Sequence, residues 1–213
     1  MSGTGSGPAS GRTSVVLATA NAGKVVEMRR LLAATAPHVE VLGLADVPAY
    51  EPGPETGATF AENALAKAVE AVQATGMAAV ADDSGLTVDA LNGMPGVLSA
   101  RWAGRHGDDR ANLELVLAQL ADVPDDRRGA GFTCAAAWAL PDGRSEVVLG
   151  EVRGRLLRAP RGTGGFGYDP LFVPDGLELT SAELPAEEKD RISHRGQALR
   201  RLVPRLVEVL ATT

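Results

Sequence analysis

The sequence predicts an α/β protein built on a mixed β-sheet, and three features of the chain support this fold class. Strand-like and helix-like segments alternate in the first third, two long strands joined by a tight turn occupy the middle, and an amphipathic helix closes the chain. Alternation favours parallel strands, whereas a hairpin pairs its strands antiparallel. With 213 residues, of which 45% are hydrophobic, the chain is long enough for one sizeable core that could be divided into two lobes.

The first elements alternate between strand and helix. Residues 14–18 are β-branched and aliphatic, which indicates a strand. Apolar residues recur at helical spacing over residues 24–34 and predict a helix after a tight loop. A second short strand is expected at residues 39–44.

A long helix is expected after the loop at residues 48–57, which is rich in Pro and Gly. It runs over residues 59–74 and carries apolar residues on one side. Its polar face holds Asn63, Lys67 and Glu70 at positions i, i+4 and i+7.

The run Asp82-Asp83-Ser84-Gly85 is expected to be a carboxylate-bearing turn between two strands at residues 78–81 and 86–90. Adjacent side chains of an extended chain point to opposite faces. One Asp is therefore expected to enter a cleft while the other supports the turn.

The second half contains a helix over residues 108–121 and a hairpin. Its strands, 130–140 and 144–155, are joined by Pro141-Asp142-Gly143, whose residue types suit a tight turn. The remaining predicted segments are a structureless loop at 159–170, a short apolar run at 171–173, a brief acidic helix at 185–189 and a helix over 195–210.

The composition predicts a cytoplasmic protein without a membrane span. No stretch approaches the roughly 18 apolar residues that a span needs, and the first 13 residues lack the apolar core of a secretory signal. Residues 2–10 contain only Gly, Ser, Thr, Pro and Ala. We therefore predict a disordered tail at residues 1–13 and a single domain at 14–213.

Charge and cysteine content exclude two further classes. A formal net charge of −6 argues against nucleic-acid binding, which requires a basic surface. A small anionic substrate remains compatible with this charge where cations are concentrated locally. The single cysteine, Cys134, lies in an apolar run and is expected to be a core residue rather than a nucleophile.

The first candidate site is the turn Thr19-Ala20-Asn21-Ala22-Gly23-Lys24, between a strand and a helix. The N-H groups and positive dipole end of a helix start can bind an anion such as phosphate. The turn is not a Walker A loop, because Val25 stands where Ser or Thr is required. An ordinary strand-to-helix turn capped by Asn is the alternative.

Lysine usage supports an anionic substrate. The chain contains 18 Arg but only three Lys, namely Lys24, Lys67 and Lys189. Each Lys suggests a site that needs a compact point charge rather than a planar fork. Three clustered ammonium groups would neutralise a triphosphate, whereas the alternative is three unrelated surface lysines.

The second candidate is the carboxylate pair Asp82-Asp83. Such a carboxylate can hold Mg²⁺ or take a proton from water, since Mg²⁺ prefers hard oxygen ligands together with substrate phosphates. Glu55, in the loop before the long helix, is a plausible second metal ligand. A structural Asx turn is the alternative.

The third candidate is the Gly-rich loop at residues 162–170. It contains the letters G-x-G-x-x-G, but neither a strand before it nor a helix after it supports a dinucleotide site. The loop presents Phe166, Gly167, Tyr168 and Asp169. We expect both rings to suit stacking on a base rather than the core, with Asp169 available for hydrogen bonding.

The fourth candidate is Ser193-His194-Arg195, at the start of the last helix. His194 has no partner at metal-ligand spacing, and a lone His is usually structural. Flanked by a hydroxyl and an Arg, it could help to read the carbonyl oxygen of a purine. His38 and His106 are expected to be surface residues.

These motifs together resemble the inosine triphosphate pyrophosphatase family, also called XTP/dITP diphosphatases. The resemblance covers residues 15–210 and is carried by Thr19 to Lys24, Glu62-Asn63-Ala64, Ala81 to Leu86, Ser99-Ala100-Arg101, Gly162 to Pro170, Glu188-Lys189 and Ile192 to Ala198. Two departures are Ala20, where Gly is frequent, and the prolonged stretch at residues 51–54.

The resemblance implies an elongated, two-lobed homodimer on a long mixed, twisted sheet flanked by helices, with the active-site cleft between the lobes. It implies Mg²⁺-dependent hydrolysis of ITP, dITP and XTP to the monophosphate and pyrophosphate, which removes them from the nucleotide pool. The implied roles are phosphate binding for Thr19 to Lys24, metal binding and proton acceptance for Asp83, substrate contact for Ser84, and nucleotide contacts for Phe166 to Asp169, Lys189, His194 and Arg195.

The expected reaction is attack of water on the α-phosphorus. Asp83 polarises the water, while Lys24, Lys67 and the metal stabilise the charge on the departing pyrophosphate. Two other functions stay open: a related hydrolase of damaged or methylated pyrimidine nucleotides, and a nucleotide-sensing module without turnover.

Overall fold

Six strands form one mixed sheet in the order β2-β1-β3-β4-β5-β6, in a computed structural model that describes residues 14–211. The strands are β1 (Ser14–Leu17), β2 (Glu40–Leu42), β3 (Ala79–Val88), β4 (Gly129–Ala139), β5 (Ser145–Leu156) and β6 (Phe172–Pro174). The helices are α1 (Ala22–Thr35), α2 (Phe60–Thr75), α3 (Asp109–Gln119), α4 (Ala186–Ile192) and α5 (His194–Leu210). The tail predicted at residues 1–13 lies outside the described residues.

The strand pairing confirms the predicted mixed sheet. β1 pairs parallel with both β2 and β3, and the pairs from β3 to β6 are antiparallel. β4 and β5 form the expected hairpin, in which Ala139 lies opposite Ser145. Gly143 adopts a φ of 90° in its turn, a conformation that glycine adopts without steric cost.

The turn predicted at residues 82–85 is wrong, because these residues lie inside the continuous strand β3. Asp82 lies opposite Ala136 and Asp83 opposite Ala135 in the ladder with β4. Adjacent carboxylates are rare within strands, but the long ladder keeps this segment extended and nearby cations compensate the charges. The prediction that the two side chains point to opposite faces is confirmed: Asp82 meets Lys24 of α1, and Asp83 meets α2.

Three apolar clusters divide the sheet into two halves. One cluster packs α1 and α5 against the sheet and includes Met28 and Leu202. A second packs α2, through Ala68, against the opposite face of the same half. The third surrounds α3 at the other half and includes Leu86 and Val116.

Strand β3 crosses from one half of the sheet to the other. Val80 and Ala81 belong to the two clusters of the first half, whereas Leu86 and Val88 belong to the third. The polar residues between Ala81 and Leu86 therefore lie at the boundary between the two halves of the sheet. This boundary positions the candidate site.

Side-chain caps fix the starts of the helices that border the site. The Asn21 side chain accepts from Lys24 N at α1, and Thr59 accepts from Glu62 N at α2. Ser193 accepts from Gly196 N at α5. Each such cap contributes about 1 kcal/mol.

Two further features of the fold are the environment of Cys134 and the length and polarity of the helices. Cys134 is fully buried in the first cluster, as predicted for a core residue. Along residues 14–211, the helices are too short or too polar for any of them to cross a membrane.

Candidate active site

A cleft of about 560 Å³ opens beside the middle of β3, where Asp83, Ser84 and Gly85 line it. The structure brings nearly all predicted site residues to its walls. They are Thr19, Ala20, Asn21, Lys24, Glu55, Lys67, Asp83, Ser84, Phe166, Gly167, Tyr168, Asp169, Lys189, His194 and Arg195. Ala22 and Gly23 lie just behind the wall in the first turn of α1, where Gly23 packs so closely on Phe166 that a Cβ would lie 2.9 Å from the ring.

The turn before α1 forms one end of the cleft. Lys24 N donates to the Asn21 side chain over 3.0 Å, and Asn21 N lies 3.3 Å from Thr19 Oγ1. These bonds fix the first turn of the helix beside the cleft. The positive end of the helix dipole there favours an anion.

Asp82 is fully buried, and its Oδ2 atom is shared by two cations. Lys24 Nζ lies 3.0 Å from this atom, and Arg195 Nε donates to it over 3.2 Å. Burial opposes ionisation, but the charges of Lys24, Arg195 and Lys67 outweigh it and hold the pKa of Asp82 far below its usual range. Asp82 is therefore a fixed counterion beneath the cleft floor.

Asp83 faces the cleft from the other side of β3. Asn63 Nδ2 donates to Asp83 Oδ2 over 2.9 Å, Ser84 N donates to Oδ1 over 3.0 Å, and Lys67 Nζ lies 3.7 Å from Oδ1. Burial, together with the negative charge of Glu55, raises the pKa of Asp83 by more than Lys67, Lys24 and Asn63 lower it. A carboxylate in this environment is a better proton acceptor than an exposed Asp.

Lys67 joins Asp83 to Glu55. Lys67 Nζ lies 2.8 Å from Glu55 Oε1, and Arg101 lies 3.1 Å from Glu55 Oε2. Burial would raise the pKa of Glu55, but the Lys67 charge and the bonds from Lys67 and Arg101 lower it. Burial would likewise lower the pKa of Lys67, but Asp83, Asp82 and Glu55 raise it. Both partners therefore stay charged at neutral pH.

The three lysines of the chain converge on this cleft, as their scarcity predicted. Lys24, Lys67 and Lys189 are each ion-paired, and their side chains are only 13%, 17% and 15% exposed. The pairs hold the ammonium groups in place before any ligand arrives. Fixed charges of this kind do not have to reorganise during a reaction.

Asp83 and Glu55 supply an oxygen donor set that fits Mg²⁺. This ion typically takes one or two carboxylates and completes its shell with waters and substrate phosphates. Each Asp83 oxygen accepts one described hydrogen bond and has a second lone pair. Within residues 14–211, no three His, Cys, Asp or Glu side chains form a cluster that could hold a metal ion, so an ion at the two carboxylates would need further ligands from water or substrate.

The Gly-rich loop is tied to α4 through Asp169. Phe166 N donates to Asp169 Oδ2 over 2.9 Å, and Lys189 Nζ lies 2.7 Å from the same oxygen. Lys189 Nζ is 5.2 Å from the centroid of the Phe166 ring, and the Arg195 guanidinium carbon is 5.7 Å from it. One aromatic ring and two cations therefore form one wall of the cleft.

The expectation that both rings of the Gly-rich loop avoid the core is wrong for Tyr168. This side chain is 4% exposed and belongs to the third apolar cluster. Its hydroxyl donates to the Ser99 carbonyl over 2.9 Å, so the loop is anchored through its second ring. Phe166 is half-buried and remains the ring suited to stacking.

His194 is a buried residue at the start of α5. Its ring stacks on Phe132 with centroids 5.0 Å apart and an interplanar angle of 11°. Burial, followed by the charges of Arg195 and Lys189, lowers its pKa well below the ordinary value. The imidazole is therefore neutral at neutral pH and offers one donor and one acceptor.

Sequence reasoning assigned no role to several residues that the structure brings to the site. Asn63 is expected on a polar helix face, but it is 2% exposed and donates to Asp83.

Three further residues reach the site from other segments. Arg101 binds Glu55, and Asp109 accepts from Gly167 N over 2.9 Å. His106 is exposed as expected, but it also lines the cleft. The usable signals were the i, i+4 spacing of Asn63 and Lys67 and the presence of Asn63 and Arg101 in motifs that carry the family resemblance.

Comparison with known proteins identifies the family of this chain. Residues 15–205 match the model of the Ham1 family. A curated dITP/XTP pyrophosphatase from Streptomyces coelicolor is 60% identical over 199 residues, which cover 93% of this chain and 99% of that protein. The corresponding protein from Nocardia farcinica is 59% identical over 200 residues, which cover 93% of this chain and 97% of that protein.

Solved structures show the same fold. The structure of a nucleoside-triphosphatase, dITP/XTP pyrophosphatase, from Mycobacterium abscessus is 57% identical and has a TM-score of 0.73, covering 90% of this chain and 99% of that chain. The Staphylococcus aureus Ham1 protein is 38% identical and has a TM-score of 0.79, covering 92% of this chain and 98% of that chain. The predicted α/β fold on a long mixed sheet is thus confirmed.

Proposed function

We propose, since the chain belongs to the Ham1 family, that it hydrolyses non-canonical purine nucleoside triphosphates to the monophosphate and pyrophosphate. Its relatives at 57% to 60% identity are named dITP/XTP pyrophosphatases. The substrates are accordingly dITP, ITP and XTP. Removal of these nucleotides from the pool is the physiological consequence.

One observation carries the proposal: three preorganised ammonium groups and a buried carboxylate of raised pKa line the same cleft. The cations match the charge of a triphosphate, and Asp83 matches the need for a base. The volume of about 560 Å³ falls within the range of small-molecule sites. Phosphate chemistry relies chiefly on positioning and charge stabilisation, which this arrangement offers.

Asp83 is the proposed proton acceptor for the attacking water. Its carboxylate is oriented by Asn63 and the backbone of Ser84, so it can hold the water in line with the α-phosphorus. Bound Mg²⁺, held by Asp83 and Glu55 and by phosphate oxygens, would supply Lewis-acid stabilisation of the phosphate charge. Lys67 lies between both carboxylates and balances the charge that develops on the leaving pyrophosphate.

The turn from Thr19 to Lys24 is the proposed binding site for the end of the triphosphate. Lys24 sits at the helix start, where the dipole and the ammonium group act in the same direction. Its ion pair with Asp82 keeps it in place. The Ser84 hydroxyl donates to Asp82 and accepts from Arg195, and Ser84, which lines the cleft, is proposed to contact the substrate.

The base is proposed to stack on Phe166 and to be read by its neighbours. Inosine and xanthosine carry an acceptor at position 6, whereas adenine carries a donor. Donors from Lys189 and Arg195, with neutral His194 beside them, would pair with the position-6 oxygen of inosine or xanthosine but not with the amino group of adenine. Each unpaired buried group costs about 1 to 3 kcal/mol, which corresponds to roughly tenfold to hundredfold discrimination against ATP.

The assembly and location are proposed from the resemblance of the chain to its family. The protein is proposed to form a homodimer and to act in the cytoplasm, where nucleotide pools are used. Mg²⁺ is the proposed cofactor, since the two cleft carboxylates suit it.

A substrate panel tests the proposal. ITP, dITP, XTP, GTP and ATP are each incubated with the enzyme and Mg²⁺, with and without EDTA, and released pyrophosphate is measured. We expect ITP and XTP to exceed ATP by at least about tenfold, and EDTA to abolish turnover. Release of single phosphates, or tight ITP binding without pyrophosphate, would refute the proposed reaction.

A further inference from the structure

Helix α4 supplies Lys189 to the cleft wall and is unusual because the residue it buries is a carboxylate, Asp190. It spans only the seven residues Ala186–Ile192, and its buried residue is Asp190. A helix of this length is not stable alone, so its position depends on tertiary contacts. Burial of a carboxylate is unfavourable unless it is paired and hydrogen-bonded.

The partner of Asp190 comes from α1, 160 residues earlier in the chain. Arg30 Nη2 donates to Asp190 Oδ1 over 2.8 Å, and Arg30 Nε donates to Oδ2. This bidentate geometry fixes both distance and orientation. Arg200 of α5 donates to the backbone carbonyls of Asp190 and Arg191. These bonds hold the C-terminal end of α4 but not the helix face that carries the Asp190 side chain.

The residue before Asp190 is Lys189, the cation beside Phe166. Because α4 is short and rigid when docked, the position of Asp190 determines where the Lys189 side chain begins. Lys189 then reaches Asp169 over 2.7 Å and lies near the Phe166 ring. Rotation or fraying of α4 would move this ammonium group away from the base side of the cleft.

We infer that Arg30 is a positioning residue for base recognition: through Asp190 it holds α4, and with it Lys189, where a 6-oxo purine is read. Arg30 itself lies outside the cleft walls. The inference rests on the proposed function, because it assigns the base side of the same site. It also links α1, whose start forms the phosphate end, to the helix that carries the base-reading cation.

The test compares Arg30→Ala with Arg29→Ala. Arg29 is the neighbouring residue on α1 and forms an ion pair with Asp46, in which both side chains are about half exposed. For Arg30→Ala we expect KM for ITP to rise about tenfold while kcat stays within about twofold of the wild type. The ratio of kcat/KM for ITP to kcat/KM for ATP should fall by about the same factor as KM rises. Inhibition by inorganic tripolyphosphate, which has no base, should stay unchanged. Arg29→Ala should match the wild type in every measurement.

Two further variants separate positioning from general destabilisation. Asp190→Asn should reproduce the Arg30→Ala phenotype, and the double variant should be no worse than either single one, because both remove the same interaction. Arg30→Lys, which keeps the charge but loses the fork, should recover part of the ITP preference. Additive losses in the double variant would overturn the inference.

Hydrogen exchange gives a readout that does not depend on turnover. Amides of residues 186–192 should exchange faster in Arg30→Ala than in Arg29→Ala, while those of β3 and β4 keep their protection. Equal exchange of α4 in the two variants would overturn the inference even if activity falls. Failure of the wild type to release pyrophosphate from ITP would instead refute the proposed function and leave the docking result to be judged on exchange alone.

Discussion

Asp82 and Asp83 are adjacent on one strand, yet their pKa values are shifted in opposite directions. Asp82 is enclosed by Lys24 and Arg195, which hold its pKa far below the usual range. Asp83 is also buried, but its nearest cation is 3.7 Å away and its pKa is raised. The two faces of a strand thus give identical side chains different properties: Asp82 is a structural counterion, and Asp83 is the better proton acceptor that we propose as the base.

The difference shows how stability and reactivity can be separated within two residues. Asp82 contributes to the fold because it neutralises two buried cations. Asp83 costs the fold some free energy, since its charged form is poorly solvated, and this cost is what makes it basic. Pairs of titratable groups with diverging pKa values are typical of catalytic sites.

The largest expected difference between the two faces is in turnover. Asp83→Asn keeps the shape but removes the proton acceptor, so kcat for ITP should fall by about 10² to 10⁴. Nucleotide affinity, measured by calorimetry, should stay within a few-fold of the wild type. A variant with nearly normal kcat would exclude Asp83 as the base.

The next effect is on stability and concerns the other face. Asp82→Asn leaves Lys24 and Arg195 without their counterion, and we expect a loss of about 3 to 5 kcal/mol in the free energy of unfolding. Urea denaturation at neutral pH in EDTA measures it. Asp83→Asn is the matched comparison and should lose less, about 1 to 2 kcal/mol, because its amide leaves either Asn63 or Ser84 N without an acceptor. Equal losses for the two variants would contradict the contrast between the faces.

The smallest effect is the pH dependence of these stability differences. The pKa of Asp82 is lowered in the fold, so its stabilisation is present above the usual carboxyl pKa and is lost as pH falls below it. The pKa of Asp83 is raised, so its cost appears only as pH rises through the raised value. The advantage of the wild type over Asp82→Asn should therefore grow as pH rises from 3 through the usual carboxyl range and then stay constant up to pH 7.

Over the same range, in EDTA, the wild type should lose stability relative to Asp83→Asn. Thermal unfolding of the three proteins across this pH series measures both trends. Parallel pH dependences for the two substitutions would show that the faces do not differ electrostatically.

Local patterns were sufficient to predict most elements of the fold. The spacing of apolar residues located α1, α2 and α5, and the turn residues located the β4–β5 hairpin. The continuity of β3 was not predictable, because the ladder with β4 imposes it from about 50 residues away in the sequence. Adjacent carboxylates locally favour a turn, and only the cations opposite them permit a strand.

The site was predictable where residue type alone carried the signal. The scarcity of Lys pointed to Lys24, Lys67 and Lys189, and all three line the cleft. The role of a side chain as partner or support was not predictable, since Arg30 and Asp190 meet only in the folded chain. Tyr168 differs from Phe166 for the same reason: a core cluster, invisible from the loop sequence, encloses one ring and not the other.

The pairing of every cleft lysine with a carboxylate has a consequence for how substrate arrives. Because each cleft lysine is already paired with a carboxylate and the chain carries a formal charge of −6, little long-range attraction steers a polyanion toward the cleft. Phosphate recognition therefore begins at close range, where the three ammonium groups are already held in position. Capture should therefore be far less sensitive to ionic strength than in proteins that gather nucleotides with an open basic funnel.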